Sequence, residues 1–316
     1  MQPYENFSLA AYVYAYYLDG KTEEQIQADI DTFRSMAPLH KAYLETHRAL
    51  VDIPDEQMLM AKRMFERNGI QVSGGITTTG KVGERKPAIF DCYCYSDEDH
   101  KKAVLDIVRR TAKLFDEFIL DDYYFNSCRC EKCIEQKGER SWAEFKLEQM
   151  EAFSHEMVKA AREANPKCKC IIKFPNWYEG FQECGYNPGK QKDIYDAIYT
   201  GTETRMGSYD GQHLQRYLSY GIVRLLENTA PGRNGGGWID PHGSQSNISR
   251  FVQQGTYTMF AKARELMLFN FELMIASPML GALAPELRRL DKVIGKLGNP
   301  NGVSTYEPHD SDGEDQ

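Results

Sequence analysis

The sequence predicts an α/β chain closed into a (β/α)8 (TIM) barrel, and three observations predict it. Short runs of β-branched and aromatic residues alternate with longer helical patterns, the signature of βα units around a parallel sheet. Eight such units fit into about 290 of the 316 residues, whereas an open doubly wound sheet normally stops at five or six strands. No Gly-x-Gly-x-x-Gly follows the first strand, which argues against a dinucleotide-binding sheet. The barrel is expected over residues 1–297, and the polar segment 298–316, with five acidic residues from Glu307 onward, reads as a linker or as the truncated start of a further domain.

The elements follow in order. Residues 7–17 (FSLAAYVYAYY) read as the first strand, and the capping box Thr22-Glu23-Glu24-Gln25 marks the helix after it. A short second strand at 41–44 leads to a helix opened by Pro54 and closed by Gly69 in the C′ position. The third strand spans 70–75, and an insertion with Thr77-Thr78-Thr79 and Cys92-Tyr93-Cys94 precedes a helix over 97–115. That helix carries Val104, Ile107, Val108, Ala112 and Phe115 on one stripe. The fourth strand, 117–122 (EFILDD), ends in two carboxylates and runs through a cysteine cluster into a long helix capped by Ser141-Trp142-Ala143-Glu144. Strands five to eight are expected at 168–174, 197–200, 237–240 and 266–275, with a last helix over 279–297.

Composition bounds the function. With 38 Lys plus Arg against 46 Asp plus Glu the formal charge is −8, which argues against a surface built for nucleic acid or an anionic membrane. No uninterrupted apolar stretch reaches the ~18 residues of a membrane span. The start, Met-Gln-Pro-Tyr-Glu, lacks the basic and apolar regions of a secretory signal. A signal removed earlier is compatible with this, so the compartment stays open, as does a homo-oligomer.

In such a barrel, chemistry sits at the C-terminal ends of the strands. Polar residues crowd there: Asp121 and Asp122 after strand four; Asn176, Trp177, Tyr178 and Glu179 after strand five; Glu203 and Arg205 after strand six; Trp238 and Asp240 at strand seven. Carboxylates interleaved with aromatic rings suit a carbohydrate, because rings stack on the apolar face of a pyranose while carboxylates bind hydroxyls and move protons. Glycoside hydrolysis needs two carboxyl groups, ~5–5.5 Å apart for retention or ~6.5–9.5 Å for inversion. Asp122 and Glu203 are the expected pair. Strand alternation lets only one of Asp121 and Asp122 face the mouth, and Asp122, the further along, is preferred, with Asp121 as support. The plainer alternative for Glu203 is an ion pair with Arg205, and for Trp177 and Tyr178 a place in the core. Glu272 is expected mid-strand in a structural role, Glu227 on a helix outside the site, and 231–237 (PGRNGGG) as a flexible rim loop lacking the ending of a phosphate loop.

Eight cysteines form a second constellation. Cys128-x-Cys130-x-x-Cys133 places three thiolates on one tight loop, a spacing that can wrap a tetrahedral Zn²⁺, with Cys94 or Cys92 from the preceding loop as fourth ligand. Such an all-cysteine site is closed and hence structural. Cys168 and Cys170 are expected in core or solvent, and no organic cofactor is expected.

A carboxylate at the end of strand four followed by a Cys-x-Cys-x-x-Cys loop resembles the glycoside hydrolase barrels of the family 42 β-galactosidase group. In that group the loop joins an earlier cysteine to hold a structural zinc. The resemblance is specific over 92–133, where Asp122 matches the acid position and Cys128, Cys130 and Cys133 match the cluster. Two departures stand out: Asp-Asp replaces Asn-Glu on strand four, and no glutamate stands at the end of strand seven. A strand-four and strand-six pair looks more like the α-galactosidase-type barrels, which makes the roles of Asp122 and Glu203 exchangeable. The resemblance implies a glycoside hydrolase, expected to be retaining, with Trp177, Tyr178 and Arg205 shaping a sugar subsite. A carbohydrate-binding barrel without turnover, and a zinc-thiolate enzyme such as a thiol methyltransferase barrel, are the alternatives.

Overall fold

A computed structural model describes residues 2–78, 92–121, 126–205, 215–242 and 247–301. Eight strands run parallel and close on themselves: β1 (Ser8–Val13), β2 (Lys41–Arg48), β3 (Gln71–Thr77), β4 (Glu117–Leu120), β5 (Lys169–Phe174), β6 (Ala197–Gly201), β7 (Asn234–Ile239) and β8 (Glu265–Phe269). Each pairs with its sequence neighbours, and β1 closes the ring by pairing with both β2 and β8. The predicted (β/α)8 barrel is therefore the fold. A two-residue strand, Val51–Asp52, folds back antiparallel on the end of β2.

Alternation along the strands separates two kinds of core. Ala10, Tyr12, Tyr43, Ile119, Ile171, Tyr199, Trp238 and Met267 point inward and fill the barrel. Their neighbours, such as Leu9, Ala42, Phe118, Ile172 and Leu268, point outward and pack under the helices. Both capping boxes are present, at Thr22/Gln25 and Ser141/Glu144. Gly69 has φ +72°, the left-handed C′ position where a side chain would strain the backbone.

Several boundaries differ from expectation. The first strand ends at Val13, and Ala15–Leu18 is a helical turn. The eighth ends at Phe269, where Asn270 caps a new helix, Phe271–Ala276, through its side chain and Leu273 N. Glu272 therefore lies in the first turn of a helix, not mid-strand, and accepts a hydrogen bond from Tyr14 Oη at 3.0 Å. Apolar aromatic runs carry no period that separates a strand from the short buried helix after it. The glycine run is likewise not a rim loop: Asn234–Gly237 begins β7. A Cβ at Gly236 would overlap the Glu265 carbonyl, and one at Gly237 the Thr258 methyl. These glycines permit close packing.

Candidate active site

A cavity of about 430 Å³ opens at the C-terminal mouth of the barrel. Trp238 forms part of its floor, Asp121, Glu203 and Asp240 supply carboxylates, and Arg48, Lys173 and Arg205 supply cations. Tyr14, Tyr16, Phe269 and His242 form an aromatic side, with Tyr16 half exposed at 51%.

Each charged group is aimed by its strand. Asp121 continues the inward set after Ile119, two residues earlier, and is buried. The residue expected to play a supporting part thus lines the cavity; Asp122 lies outside the described residues. Lys173 stands two residues after inward-facing Ile171 on β5, its ammonium 4.3 Å above the Trp238 ring. Arg48 owes its direction to an irregularity. In the β2–β3 pairing Glu45 opposes Gly75 but His47 opposes Ile76, so Thr46 is an extra residue. Inward-facing Glu45 is therefore followed by an outward His47, bonded to Asp52, and an inward Arg48. Bulges commonly re-aim a side chain beside an active site in this way.

The groups form one ionic network. Glu45 is wholly buried and accepts from Tyr12 Oη at 2.7 Å, Thr77 Oγ1 at 2.5 Å, the Ala15 amide at 2.8 Å and Arg48 Nε at 2.8 Å. Arg48 then reaches Asp121 Oδ2 at 3.1 Å. Lys173 Nζ lies 3.6 Å from Asp121 Oδ1 and 2.7 Å from Glu203 Oε1, one ammonium touching both carboxylates. Burial pushes the Glu203 carboxyl above its ordinary value, against the Lys173 ammonium, which pulls it down, and with a further push from Asp240. The raised value means that Glu203 holds a proton more readily than an exposed glutamate.

The Glu203–Arg205 ion pair is not formed. Arg205 forks onto Asp240, at 3.0 and 2.5 Å, and Lys173 takes Glu203. The two hydroxyls flanking Glu203 also serve the frame: Thr202 donates to the Trp238 carbonyl, and Thr204 pairs with Ser219. Asn176 donates to the backbone carbonyl of Glu203 at 2.7 Å and so fixes its loop. Gly201 is needed here, because a Cβ would come within 2.8 Å of Glu203 Oε2.

Trp177, Tyr178 and Glu179 do not line this cavity. Tyr178 and Glu179 open a 3₁₀ turn, and Trp177 packs edge-on to Phe181 and Tyr186 at about 6 Å. Arg205, Trp238 and Asp240 do line it. Sequence reasoning passed over Arg48, Glu45 and Lys173. The signal for Lys173 is a lysine directly after two isoleucines in CKCIIKF, and Glu45 and Arg48 lie on β2 beyond its expected end at residue 44.

Beside the barrel mouth, Cys94, Cys128, Cys130 and Cys133 bring their sulfurs within 4.8 Å of one another. Cys94 lies 3.6 Å from Cys130 and 3.5 Å from Cys133, and Cys130 lies 3.8 Å from Cys133. Zn–S bonds of ~2.3 Å at tetrahedral angles would separate sulfurs by ~3.8 Å, so the four residues fit a tetrahedral metal ion. Cys92 is outside the group, with its sulfur 3.7 Å from Ser127 Oγ. Buried Lys146 donates to the Cys128 carbonyl at 2.5 Å and to Asn126 at 2.9 Å, leaving its charge beside the thiols. None of the four cysteines lines the cavity, and Cys168 and Cys170 are buried in the apolar layer under the helices.

A closed parallel barrel with ion-bridged carboxylates at its C-terminal mouth has its charged groups where barrels of this type carry their active sites. The chain belongs to the family described as "Probable glycosyl hydrolase, catalytic domain", whose model matches residues 1–284. It is 30% identical over 296 residues to the uncharacterized protein SSO3021 of Saccharolobus solfataricus, covering 84% of this chain and 49% of that protein. The chain thus spans about half the length of this relative. Among solved structures, it is similar to a β-galactosidase of the haloarchaeon Halorubrum lacusprofundi, with TM-score 0.64 and 12% identity over 94% of this chain and 59% of the other. A GH5_18 protein of Streptomyces cattleya in complex with GlcNAc gives 0.60 and 13%, over 94% and 82%. An exo-β-1,4-mannosidase of Opitutaceae bacterium strain TAV5 gives 0.60 and 9%, over 91% and 60%.

Proposed function

We propose that the chain is the catalytic barrel of a retaining glycoside hydrolase in which Asp121 is the nucleophile and Glu203 the general acid/base. The observation that carries this reading is the single Lys173 ammonium in contact with both carboxylates. Two carboxylates that share one Nζ at these distances suit the ~5–5.5 Å of retention better than the ~6.5–9.5 Å of inversion. The environments also separate the two groups. Arg48 stands on Asp121 and favours its ionised form, whereas burial and Asp240 favour a proton on Glu203. Trp238 and the aromatic side offer the sugar an apolar wall, and the Arg205–Asp240 pair offers its hydroxyls both donors and acceptors.

Asp122 remains the competing strand-four carboxylate, and mutation separates the two. With 4-nitrophenyl glycosides, Glu203→Gln is expected to lower kcat by about 10²–10⁴-fold and Asp121→Asn by at least as much, with Asp122→Asn much milder. Proton NMR of the first-formed sugar should give the starting anomer. Loss of activity in Asp122→Asn with Asp121→Asn active would move the nucleophile one residue on; the opposite anomer would end the retaining reading.

We further propose Zn²⁺ as the ion for the four cysteines. Thiolate-only, tetrahedral donor sets select zinc among common divalent ions, and four protein ligands leave no position open for a reacting water. Its part is to tie the segment before the helix Glu98–Leu114 to the loop after β4, which carries Asp121.

A further inference from the structure

Lys173 is almost wholly buried, with its side chain 1% exposed, and its ammonium is held between two carboxylates over the Trp238 ring. Resting on the Asp121/Glu203 reading, we propose that Lys173 is a positioning residue: a fixed counter-ion shared by both carboxylates, across which one negative charge passes from Asp121 to Glu203 and back in each turnover.

The charge count gives such a group a part. In the first half-reaction an Asp121 oxygen bonds to the anomeric carbon while the bond to the leaving oxygen breaks. That oxygen keeps the electron pair and takes the proton of Glu203. Asp121 is then a neutral ester and Glu203 a carboxylate. In the second half-reaction a water oxygen bonds to the anomeric carbon, its proton returns to Glu203, and Asp121 departs as a carboxylate. Lys173 keeps its proton throughout. Nζ already contacts both oxygens, so the charge migrates without moving a buried side chain, and neither half-reaction leaves an unpaired carboxylate in the barrel. The Trp238 ring at 4.3 Å favours the cationic form.

The surrounding charges support an asymmetric, singly protonated pair. Glu45 and Arg48 come from β2, Tyr12 from β1, and Asp240 with Arg205 from the β7 and β6 ends. Among the described residues Arg48 is shared by Glu45 and Asp121, Arg205 takes Asp240, and Lys173 is shared by Asp121 and Glu203. These three cations face four carboxyls among the described residues, an imbalance that favours one proton on the carboxyls, the ionisation state that retention starts from.

Lys173→Gln and Lys173→Arg test this, through kcat and kcat/KM against pH on the 4-nitrophenyl glycoside that the unmodified protein turns over fastest. Loss of the cation raises both carboxyl pKa values. In Lys173→Gln the acidic limb, set by Asp121 ionising, and the alkaline limb, set by Glu203 losing its proton, should both move up by roughly one to three pH units. Lys173→Arg should keep both limbs in place. A lower kcat with unmoved limbs in Lys173→Gln would assign Lys173 a purely structural part and overturn the proposal. Should Lys173→Gln not fold by circular dichroism, ¹⁵N-lysine NMR of the unmodified protein decides. An ammonium at Lys173 across the active pH range supports the proposal, and a neutral amine there overturns it. Active Asp121→Asn and Glu203→Gln would instead refute the carboxylate reading itself, whatever Lys173 does.

Discussion

At the scale of residues, the proton affinity of Glu203 makes a measurable claim. A general acid works only while protonated, so activity is retained below its pKa and lost as pH rises through it. Burial raises that pKa above the ~4.3 of an exposed glutamate, and the alkaline limb of kcat/KM should lie correspondingly higher. The residual turnover of Glu203→Gln should lack that limb. A limb that stays in place in Glu203→Gln would assign it to another group. Which residues form the proposed pair was only half legible in the sequence. Glu203 was readable as a carboxylate just past a strand end, whereas the choice between Asp121 and Asp122 turned on which of them continues the inward set of Ile119, and strand phase is fixed by packing.

At the scale of elements, Glu227 illustrates how the far end of the barrel is joined. It lies in the last turn of the helix Leu218–Thr229, takes a two-pronged contact from Arg264 at 2.7 and 2.8 Å, and accepts the Gly232 amide at 3.1 Å. Arg264 also donates to the Asn234 carbonyl at the start of β7. The Arg264 hydrogen bond holds the Glu227 carboxyl below its usual range. The folded pKa is lower than the unfolded one, so the contribution is present above ~4.3 and fades as pH falls through the folded value. Glu227→Gln should cost ~0.5–1 kcal/mol at pH 7, since Arg264 is half exposed, and almost nothing near pH 2. Urea titrations at the two pH values check this, and an equal cost at both would exclude an electrostatic origin. Helix starts were the most legible elements, because capping boxes are local; Arg48 was not, because the bulge at Thr46 exists only in the pairing of β2 with β3.

At the scale of the whole molecule, the cysteine cluster couples two segments that leave neighbouring strands. Chelation of the proposed zinc should lower the melting temperature by about 3 °C for a loss of ~2 kcal/mol in a chain this long. Activity should fall in step with unfolding and not before it. Elemental analysis should find one zinc per chain; less than one in protein never exposed to chelator would refute the site, and activity lost before any unfolding would revive a zinc-dependent enzyme. Cys133→Ser should reproduce the chelated state. Among the described residues no helix is long and apolar enough to cross a membrane.

By itself the sequence determined the eight-unit barrel, the helix caps, the cysteine cluster and the strand ends where charge collects, because period, capping and motif spacing are local properties of a chain. Tertiary structure alone decided three things: that Asp121 faces the cavity, that Cys94 and not Cys92 completes the cluster, and that Lys173 and Arg48 stand among the carboxylates. Each depends on how strands from distant parts of the chain are phased when the sheet closes, and closure, unlike periodicity, is not written in any one segment.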